Sequence, residues 1–453
     1  MRNSTRSRPT GPARSSAIRT WWARCASPRA RSCRGSSPRP STGRPRSARP
    51  CGSCRFPSRS RAPNSSPTLS SPPGSNDMRD VMVVGVGTTR FAQYEDRTWI
   101  DHGVEAVSGA LTDAGLAWPD MQRAYCGAMG AVGPYAGNRV GHELGLTGVP
   151  IQNIDNASAS GNSAFHFACL AVGTEQCDVA IGFGVGQLGR SMGNNMGDEG
   201  QVRRFVARAY GNAMAIFALA AKRRMHEFGT PVEAFAKIAE KSKHYGSLNP
   251  HSQIRKRYTV EEILEARPIA DPLTLPMCCP VGDGGAAVIV ASRDVAARLG
   301  AAPVRVRHTA MYGETFQQER AWGHALMLAE GARDFYETAG MGPEELDVVQ
   351  LHDATANEEL EYYEALGLCG VGEGDRLALD GDTGPGGRIP VNTDGGLISR
   401  GHPLGPTGCA QIAEITRQLR GQAGPRQVEG ARTGLIQQTG AGEVFFLHML
   451  TRE

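Results

Sequence analysis

The sequence predicts an α/β protein, with a parallel or mixed sheet that is covered by helices and built from two related halves. From Met78 onward, apolar strands alternate with helical patterns, which is the order that gives a helix-covered sheet. The same order of elements recurs in the last third of the chain, and this indicates a duplicated unit. The length of 453 residues exceeds that of one small domain and is sufficient for two or three.

The first half contains strands and helices in alternation. A buried strand is predicted in "VMVVGVG", which begins at Val81, because it is a short apolar run rich in valine. The stretch "WIDHGVEAVSGALTDAGL" has apolar residues at helical spacing, and "QRAYCGAMG" predicts a second strand. A helix of small and apolar residues follows in "SGNSAFHFACLAVGTEQ", and "CDVAIGFGVG" completes the unit as a strand.

The second half repeats this order. It reads as a strand in "LDVVQLHDA", helices in "ANEELEYYEALGL" and "GPTGCAQIAEITRQLRGQ", and two strands in "TGLIQQTGAGEVFFLHML". We therefore expect one half over 78–300 and the other over 301–453. The segment from about 188 to 275 is more irregular and more charged, and it is predicted to be an insertion that covers a site.

Residues 1–77 differ sharply in composition from the rest of the chain. They hold sixteen arginines, no lysine and a single acidic residue, together with many serines and prolines. Such a segment buries too little apolar surface to offset its ordering entropy, so it is expected to be disordered. A transit peptide, a nucleic-acid-binding tail and a region translated from a start codon set too early all fit. The last is favoured, because the proline density prevents the amphipathic helix of a transit peptide.

The charge of the remaining chain argues against nucleic-acid binding. The whole protein has a net charge of +4, but residues 78–453 have eleven more acidic than basic residues. A nucleic-acid-binding domain needs a basic face instead. No run of eighteen apolar residues occurs, so no membrane span is expected.

The eleven cysteines do not form a disulfide framework by their spacing. Reduced, mostly buried thiols in a cytoplasmic protein are the simplest interpretation. The stretch "CGSC" at Cys51–Cys54 has the spacing of a redox or zinc motif, but it lacks a second pair and a flanking helix. We therefore expect no metal site.

Several motifs resemble the thiolase superfamily, in its branch of sterol-carrier-protein-type thiolases and lipid-transfer proteins. They are, in order, "VMVVGVGTTRF", "NASASGNSAFHFA", "RPIADPLTLPMCCPVGDGGAAVIVAS", "LHDATANEELEYYEALGLC", "GHPLGPTG" and "QQTGAGE". The resemblance covers Met78 to Glu453. It implies a five-layer αβαβα fold of two related halves, a homodimer, and a coenzyme A thioester as the substrate, with no tightly bound cofactor.

The resemblance also shows that the family's catalytic cysteines are absent. Ser158 in "SASGNS" stands where the nucleophilic cysteine is expected, at the start of a buried helix where the helix dipole lowers a thiol pKa. Ala354 in "HDAT" and Gln438 in "QTG" stand at the two places where thiolases carry the second acid/base cysteine. Serine at a helix start is also a good N-cap, so a purely structural role for Ser158 is open as well.

The other site residues of the family are present. His402 in "GHP" matches the base, and His352 in "HDAT" matches the residue that forms the first oxyanion hole with water. The backbone N–H groups of Ser158 and Gly440 match the second oxyanion hole. Asn392 precedes the glycine turn that brings His402 inward.

Basic residues in "KHYGSLNPHSQIRKRY" match a family stretch within the insertion. Lys243, Arg255, Lys256 and Arg257 are therefore candidates for binding the phosphates of coenzyme A, or else they form a solvated face.

Three functions remain open from the sequence. The first is a non-covalent enzyme of lipid or steroid side-chain metabolism that cleaves or forms a carbon–carbon bond in an acyl-CoA by a retro-aldol type of reaction. It is preferred by a small margin, because two kept histidines argue against loss of function. The second is an acyltransferase with Ser158 as a slow nucleophile. The third is a non-catalytic acyl-CoA-binding subunit, with a separate small OB-fold/zinc-ribbon protein as a possible partner.

Overall fold

A computed structural model describes most of the chain from Met78 onward. The described residues are 78–129, 132–188, 213–300, 302, 304–313, 324–441 and 444–453. The predictions made for residues 1–77, including Cys51–Cys54, and for 189–212 of the insertion lie outside the described residues.

Within the described ranges, nine strands form one mixed sheet in the order β3-β2-β4-β7-β1-β8-β11-β10-β9, and β5 and β6 form a separate hairpin. The strands are β1 Val81–Thr88, β2 Arg123–Ala128, β3 Ile151–Ile154, β4 Val179–Gln187, β5 Pro268–Ala270, β6 Leu273–Thr274, β7 Asp283–Ser292, β8 Val304–Gly313, β9 Val348–Gln350, β10 Thr433–Gly440 and β11 Val444–Arg452. Every strand predicted from the sequence is present.

The strand order repeats between the two halves, as the sequence pattern indicated. In the first half β2 and β4 are parallel, β4 and β7 antiparallel, and β7 and β1 antiparallel. In the second half β9, β10, β11 and β8 follow the same sequence of parallel, antiparallel and antiparallel pairs. Only a two-residue pairing joins β1 to β8. In the first half β3 pairs in parallel with the edge of β2, and in the second half Val391 forms the equivalent parallel bridge with Val349 of β9.

Twelve α-helices occur in the described ranges. They are α1 Trp99–Ala114, α2 Ala136–Leu144, α3 Ser160–Gly173, α4 Ala213–Phe228, α5 Val232–Leu248, α6 Val260–Leu264, α7 Arg293–Leu299, α8 His324–Ala339, α9 Ala356–Ala365, α10 Gly374–Leu379, α11 Gly396–Arg400 and α12 Thr407–Leu419. The helices predicted at α1, α3, α9 and α12 are confirmed.

Local sequence signals explain the limits of α1. Thr98 and Asp101 form a reciprocal capping box at its start, and Gly115 ends it in the left-handed conformation with a φ of 67°. Its buried positions recur at helical spacing and face β1 and β7.

Alternation along the strands separates the apolar core into layers. Val83 of β1 points to a central cluster that includes Phe165 of α3 and Ile412 of α12. Met82 points to the opposite face, where α1 covers the first half of the sheet. A third cluster lies against the second half and includes residues of α8 and α9. Helices α3 and α12 therefore lie between the two halves of the sheet, which gives the expected αβαβα layers.

The insertion is more regular than its composition suggested. Its described part, 213–275, consists largely of α4, α5 and α6, because apolar residues there recur at helical spacing between the charged ones. No described helix combines the length and the apolar character needed to cross a bilayer.

Candidate active site

Ser158 lies on a strained turn immediately before α3. It is the middle residue of a single 3₁₀ turn, Ala157–Ala159, and is 9% exposed. Ala157 has a φ of 50°, in the left-handed region that a residue with a Cβ seldom adopts. The hydroxyl of Ser160 stabilises this turn, since it accepts a hydrogen bond from Asn156 N at 2.9 Å and donates to Ala157 O at 2.7 Å.

The side chain of Ser158 contacts His402 instead of capping the helix. Ser158 Oγ lies 2.9 Å from His402 Nε2. The N-cap of α3 is Ala159, and no side chain caps that end. The interpretation of Ser158 as a helix cap is therefore wrong. On the far side of the ring, His402 Nδ1 lies 2.9 Å from the hydroxyl of Thr407, the first residue of α12, so both ring nitrogens have a partner.

Glycines allow the His402 loop to approach the first half of the sheet. A Cβ added at Gly161 of α3 would lie 2.6 Å from the carbonyl oxygen of Gly405, and one added at Gly184 of β4 would overlap that same oxygen. A Cβ at Gly186 would overlap the carbonyl oxygen of Pro403. The small residues of α3 and β4 therefore set how closely His402 approaches Ser158.

The backbone around His352 is fixed by hydrogen bonds to three other segments. The N–H of Leu351 donates to Asn392 Oδ1 at 2.9 Å, and the N–H of His352 donates to Gln437 Oε1 at 3.0 Å. The buried carboxylate of Asp353 accepts from Leu397 N at 2.7 Å, at the start of α11. His352 therefore follows β9 in a backbone that has little freedom to move.

The rings of His352 and His402 lie next to each other. The ring centroids of His352 and His402 are 5.4 Å apart, with an angle of 77° between the ring planes. Both residues are 6% exposed. Neither ring nitrogen of His352 has a hydrogen-bond partner among the described residues, although Nδ1 lies 3.6 Å from Glu358 Oε2. Unpaired buried polar atoms are rare in proteins, so they mark a place where water or a ligand binds.

Gly440 and Gln438 bring the end of β10 against the Ser158 turn. Gln438 Nε2 donates to the carbonyl oxygen of Ser158 at 3.0 Å, while its Oε1 has no partner among the described residues. A Cβ added at Gly440 would lie 2.9 Å from the Cβ of Ala159. The two backbone segments expected to form the second oxyanion hole are thus adjacent.

His402 is a neutral imidazole at ordinary pH. Burial lowers its pKa well below the usual value, and the neighbouring His352 and Arg400 lower it further. Arg400 is itself buried and forms an ion pair with Asp394. A neutral imidazole carries one N–H, and in the tautomer with that proton on Nδ1, beside Thr407, the lone pair of Nε2 faces Ser158 and any ligand beside it.

Asn392 supports the site but does not face it. Its backbone is left-handed, with a φ of 56°, and its side chain is fully buried. Besides accepting from Leu351, its amide donates to Glu359 Oε2 at 2.8 Å, and Glu359 forms a buried ion pair with Lys241. Both ends of the Asn392 amide are therefore occupied, and its role is to position the strand that carries His352.

The four basic candidates for phosphate binding separate into two groups. Lys243 is 1% exposed and donates to Ile398 O at 2.7 Å, and burial lowers its pKa to about 8. The prediction that Lys243 presents its ammonium group to a phosphate is therefore wrong. Arg255, Lys256 and Arg257 are exposed and can reach a ligand.

A cavity of about 450 Å³ lies beside α5, and Arg257, Lys237, Lys241 and His244 are among its lining residues. Ser158, His352 and His402 do not line it. We place the candidate active site at the two histidines, because their rings lie 5.4 Å apart, His402 contacts Ser158 at 2.9 Å, and both ring nitrogens of His352 are unpaired among the described residues.

Two residues of the site escaped the sequence analysis. Thr407 lies five residues after His402 inside the matched "GHPLGPTG" stretch, so its position on the same turn was a usable signal. Glu358 is a buried acid in the first turn of α9, which "ANEELEYYEALGL" did not single out, because acidic residues are common at helix starts. No group of three or more metal-binding side chains occurs in the described part of the chain.

Comparison with family models matches both halves of the chain. The model described as "Thiolase, N-terminal domain" matches residues 81–294, and the model described as "Thiolase C-terminal domain-like" matches 309–446. The chain belongs to the thiolase family. Sequence motifs alone predicted this membership, and the prediction is confirmed.

Individual relatives support the same branch of the thiolases. Sterol carrier protein 2 of Rattus norvegicus is 38% identical over 384 residues, which cover 80% of this chain and 70% of the relative. Acetyl-CoA acetyltransferase of Methanothermobacter thermautotrophicus is 34% identical over 388 residues, with 83% and 100% covered. Among solved structures, the "Ltp2-ChsH2(DUF35) aldolase" has a TM-score of 0.73 at 24% identity and covers 82% of this chain and 98% of that one.

Proposed function

We propose that this thiolase-family protein cleaves or forms a carbon–carbon bond in an acyl-CoA thioester without a covalent acyl-enzyme. The observation that carries the proposal is the pair of buried imidazoles, with ring centroids 5.4 Å apart, at a site that has no thiol at positions 158, 354 or 438. A retro-aldol reaction needs one base, one acid and donors for an enolate oxygen, and it needs no nucleophile.

The reaction proposed is the cleavage of a 3-hydroxyacyl-CoA. His402 Nε2 removes the proton of the 3-hydroxyl group, and the electron pair of that O–H bond forms the carbonyl of the released aldehyde or ketone. The C2–C3 bond breaks, and its electron pair becomes an enolate of the thioester. The imidazolium form of His352 then donates a proton to C2, which gives the shortened acyl-CoA. One proton is taken and one is given, so exchange with solvent restores both rings.

The backbone amides of Ser158 and Gly440 would hold the enolate oxygen. Each donor of this kind contributes roughly 10²–10³-fold in rate. The hydroxyl of Ser158, 2.9 Å from His402, keeps that ring oriented before the substrate arrives. The exposed Arg255, Lys256 and Arg257 are the proposed contacts for the phosphates of coenzyme A, which belongs to the substrate and is not a resident cofactor.

The relatives give this proposal its substrate class. Sterol carrier protein 2 and a non-specific lipid-transfer protein-like relative point to lipid chemistry, and the aldolase neighbour points to the reaction type. That neighbour is named together with a ChsH2(DUF35) component, which supports a separate polypeptide as the partner proposed here. The family resemblance suggests that this partner is a small OB-fold/zinc-ribbon protein. A homodimer is proposed from family membership.

The test is turnover of a 3-hydroxyacyl-CoA with a branched β-carbon by the purified protein. The expected products are a carbonyl compound and a shortened acyl-CoA, and His402→Ala lowers the rate by about 10²-fold or more. The matched control is His142→Ala, which removes an exposed histidine and leaves the rate unchanged. If no acyl-CoA is turned over, alone or with a DUF35-type partner, the protein is a non-catalytic subunit instead.

Acyl transfer through Ser158 is a second candidate, and one observation favours it. A serine hydroxyl becomes a nucleophile only with a base in direct contact, and the 2.9 Å separation from His402 Nε2 provides that contact. Mass spectrometry after incubation with an acyl-CoA distinguishes the two reactions. An acyl group on Ser158 supports the transferase, and an unmodified protein that still releases a carbonyl product supports the lyase.

A further inference from the structure

Glu358 lies next to His352, and one oxygen of its buried side chain has no hydrogen-bond partner among the described residues. It is the third residue of α9 and is 6% exposed. Its Oε1 accepts from the hydroxyl of Tyr362 at 3.2 Å. Its Oε2 has no hydrogen-bond partner among the described residues and lies 3.6 Å from His352 Nδ1, which is also unpaired.

A helix start alone does not explain this arrangement. Acidic residues are common in the first turn, since they interact favourably with the helix dipole. The side chain of Glu358, however, makes no capping bond to α9. Two unpaired polar atoms facing each other in a buried place are costly to desolvate, unless a proton lies between them or a ligand draws them together.

The groups around Glu358 are mostly acids or neutral donors. Glu361 lies one turn further along α9, and burial and the charge of Glu358 raise its pKa to about 7. Burial raises the pKa of Tyr362 and of Cys279, and the charge of Glu358 raises both pKa values further. His352 differs from these three groups because it is a base, and its Nδ1 lies 3.6 Å from Glu358 Oε2.

We propose that Glu358 is the proton partner of His352 and that the pair replaces the missing acid/base cysteine at C2 of the acyl group. The carboxylate holds a proton on Nδ1, so that Nε2 faces C2 and exchanges a proton with it. Glu358 is a positioning residue, because it acts on the substrate only through His352. The proposal rests on the function proposed above and names which group handles the C2 proton.

Deuterium exchange at C2 tests the pair without any bond cleavage. The probe is propionyl-CoA in D₂O, with exchange followed by NMR or mass spectrometry. The wild-type protein is expected to exchange the C2 protons, and Glu358→Gln, which keeps the shape and loses the charge, is expected to slow the exchange about 10²-fold with little change in KM. Glu361→Gln is the matched control on the same helix and stays within about twofold.

Two readouts separate this role from a merely structural one. Glu358→Asp, which keeps a carboxylate, should partly restore the exchange rate that Glu358→Gln loses. The ¹⁵N shifts of His352 in the free protein should differ between the wild type and Glu358→Gln, because the carboxylate oxygen 3.6 Å from Nδ1 is replaced by a neutral amide.

The outcomes are distinguishable. If Glu358→Gln leaves the exchange rate and the His352 ¹⁵N shifts as in the wild type, the proton-partner role is overturned. If the wild type exchanges C2 protons but cleaves no 3-hydroxyacyl-CoA, the lyase proposal fails while the pairing of Glu358 with His352 stands.

Discussion

Replacing Gly161 by alanine tests whether close backbone packing sets the Ser158–His402 geometry. Helix propensity alone predicts that Gly161→Ala in α3 gains up to about 1 kcal/mol. The added Cβ, however, would lie 2.6 Å from Gly405 O, 3.0 Å from Cys409 N and 3.2 Å from Gly408 N. All three are backbone atoms of the segment that follows His402, so no side chain can rotate away.

The size of the effect follows from these distances. Ordinary van der Waals contacts begin near 3.4 Å, so the loop must move by about 0.5–1 Å, and overpacking of this kind costs about 1–3 kcal/mol. Set against the gain of up to about 1 kcal/mol from helix propensity, the net result is a loss of about 0–2 kcal/mol. A shift of that size would also lengthen the 2.9 Å contact between Ser158 and His402, and displacement of a catalytic group by 1 Å can cost about 10²-fold in rate.

The assay combines denaturant unfolding with turnover of the 3-hydroxyacyl-CoA. Gly109→Ala is the matched control, since Gly109 is also helical but exposed, and its Cβ would meet only Gly87 Cα at an ordinary 3.5 Å. The control should gain about 0.5–1 kcal/mol and keep its activity. If both variants gain stability equally and both stay active, close packing by α3 does not determine where His402 lies.

Three further predictions concern the buried side chains of His166, Lys243 and Ser158. Burial lowers the pKa of His166 from 6.5 to about 4, so between these pH values the unfolded chain binds more protons than the folded protein. The contribution of His166 to the free energy of unfolding is therefore complete above pH 6.5 and falls by roughly 3 kcal/mol toward pH 4, which urea unfolding of the wild type and His166→Gln at both pH values will measure. Lys243→Ala leaves Ile398 O unpaired and should lower the free energy of unfolding by about 1–3 kcal/mol, whereas the affinity for coenzyme A, measured by calorimetry, should stay constant. A weakened affinity would show that Lys243 does bind coenzyme A. Ser158→Cys places a thiol beside His402 at the start of α3, so iodoacetamide should label it at least about tenfold faster than any native cysteine, and equal labelling would contradict this contact.

The surroundings of the two histidines hold both rings in place without any contribution from a thiol. Asn392 and Gln437 accept from backbone N–H groups at and next to His352, and Asp353 accepts from one in α11, the helix before His402. None of these hydrogen bonds requires a thiol. Removing one of these polar side chains would leave a buried donor unpaired, at a cost of about 1–3 kcal/mol. The framework is therefore maintained by its own hydrogen bonds.

Motifs of fixed spacing predicted much of this fold and site. The alternation of strands and helices gave the α/β class, and "GHPLGPTG" and "HDAT" identified His402 and His352. Lys243 was misjudged, because a lysine between polar neighbours on α5 has the pattern of an exposed face, whereas α11 covers it. Glu358 was missed for the related reason that the spacing within one helix does not reveal what packs against its first turn.

By itself, the sequence determined the order of the strands and helices, the family, and the absence of cysteine at positions 158, 354 and 438, because these depend on local patterns and on residue identity. The tertiary structure alone decided that Ser158 contacts His402, that Glu358 lies behind His352, and that the amide of Asn392 is fully occupied. These contacts join residues from segments far apart in the chain, or side chains whose direction depends on packing. Their distances are set by close approach of backbone at glycines and by burial, which no single segment encodes.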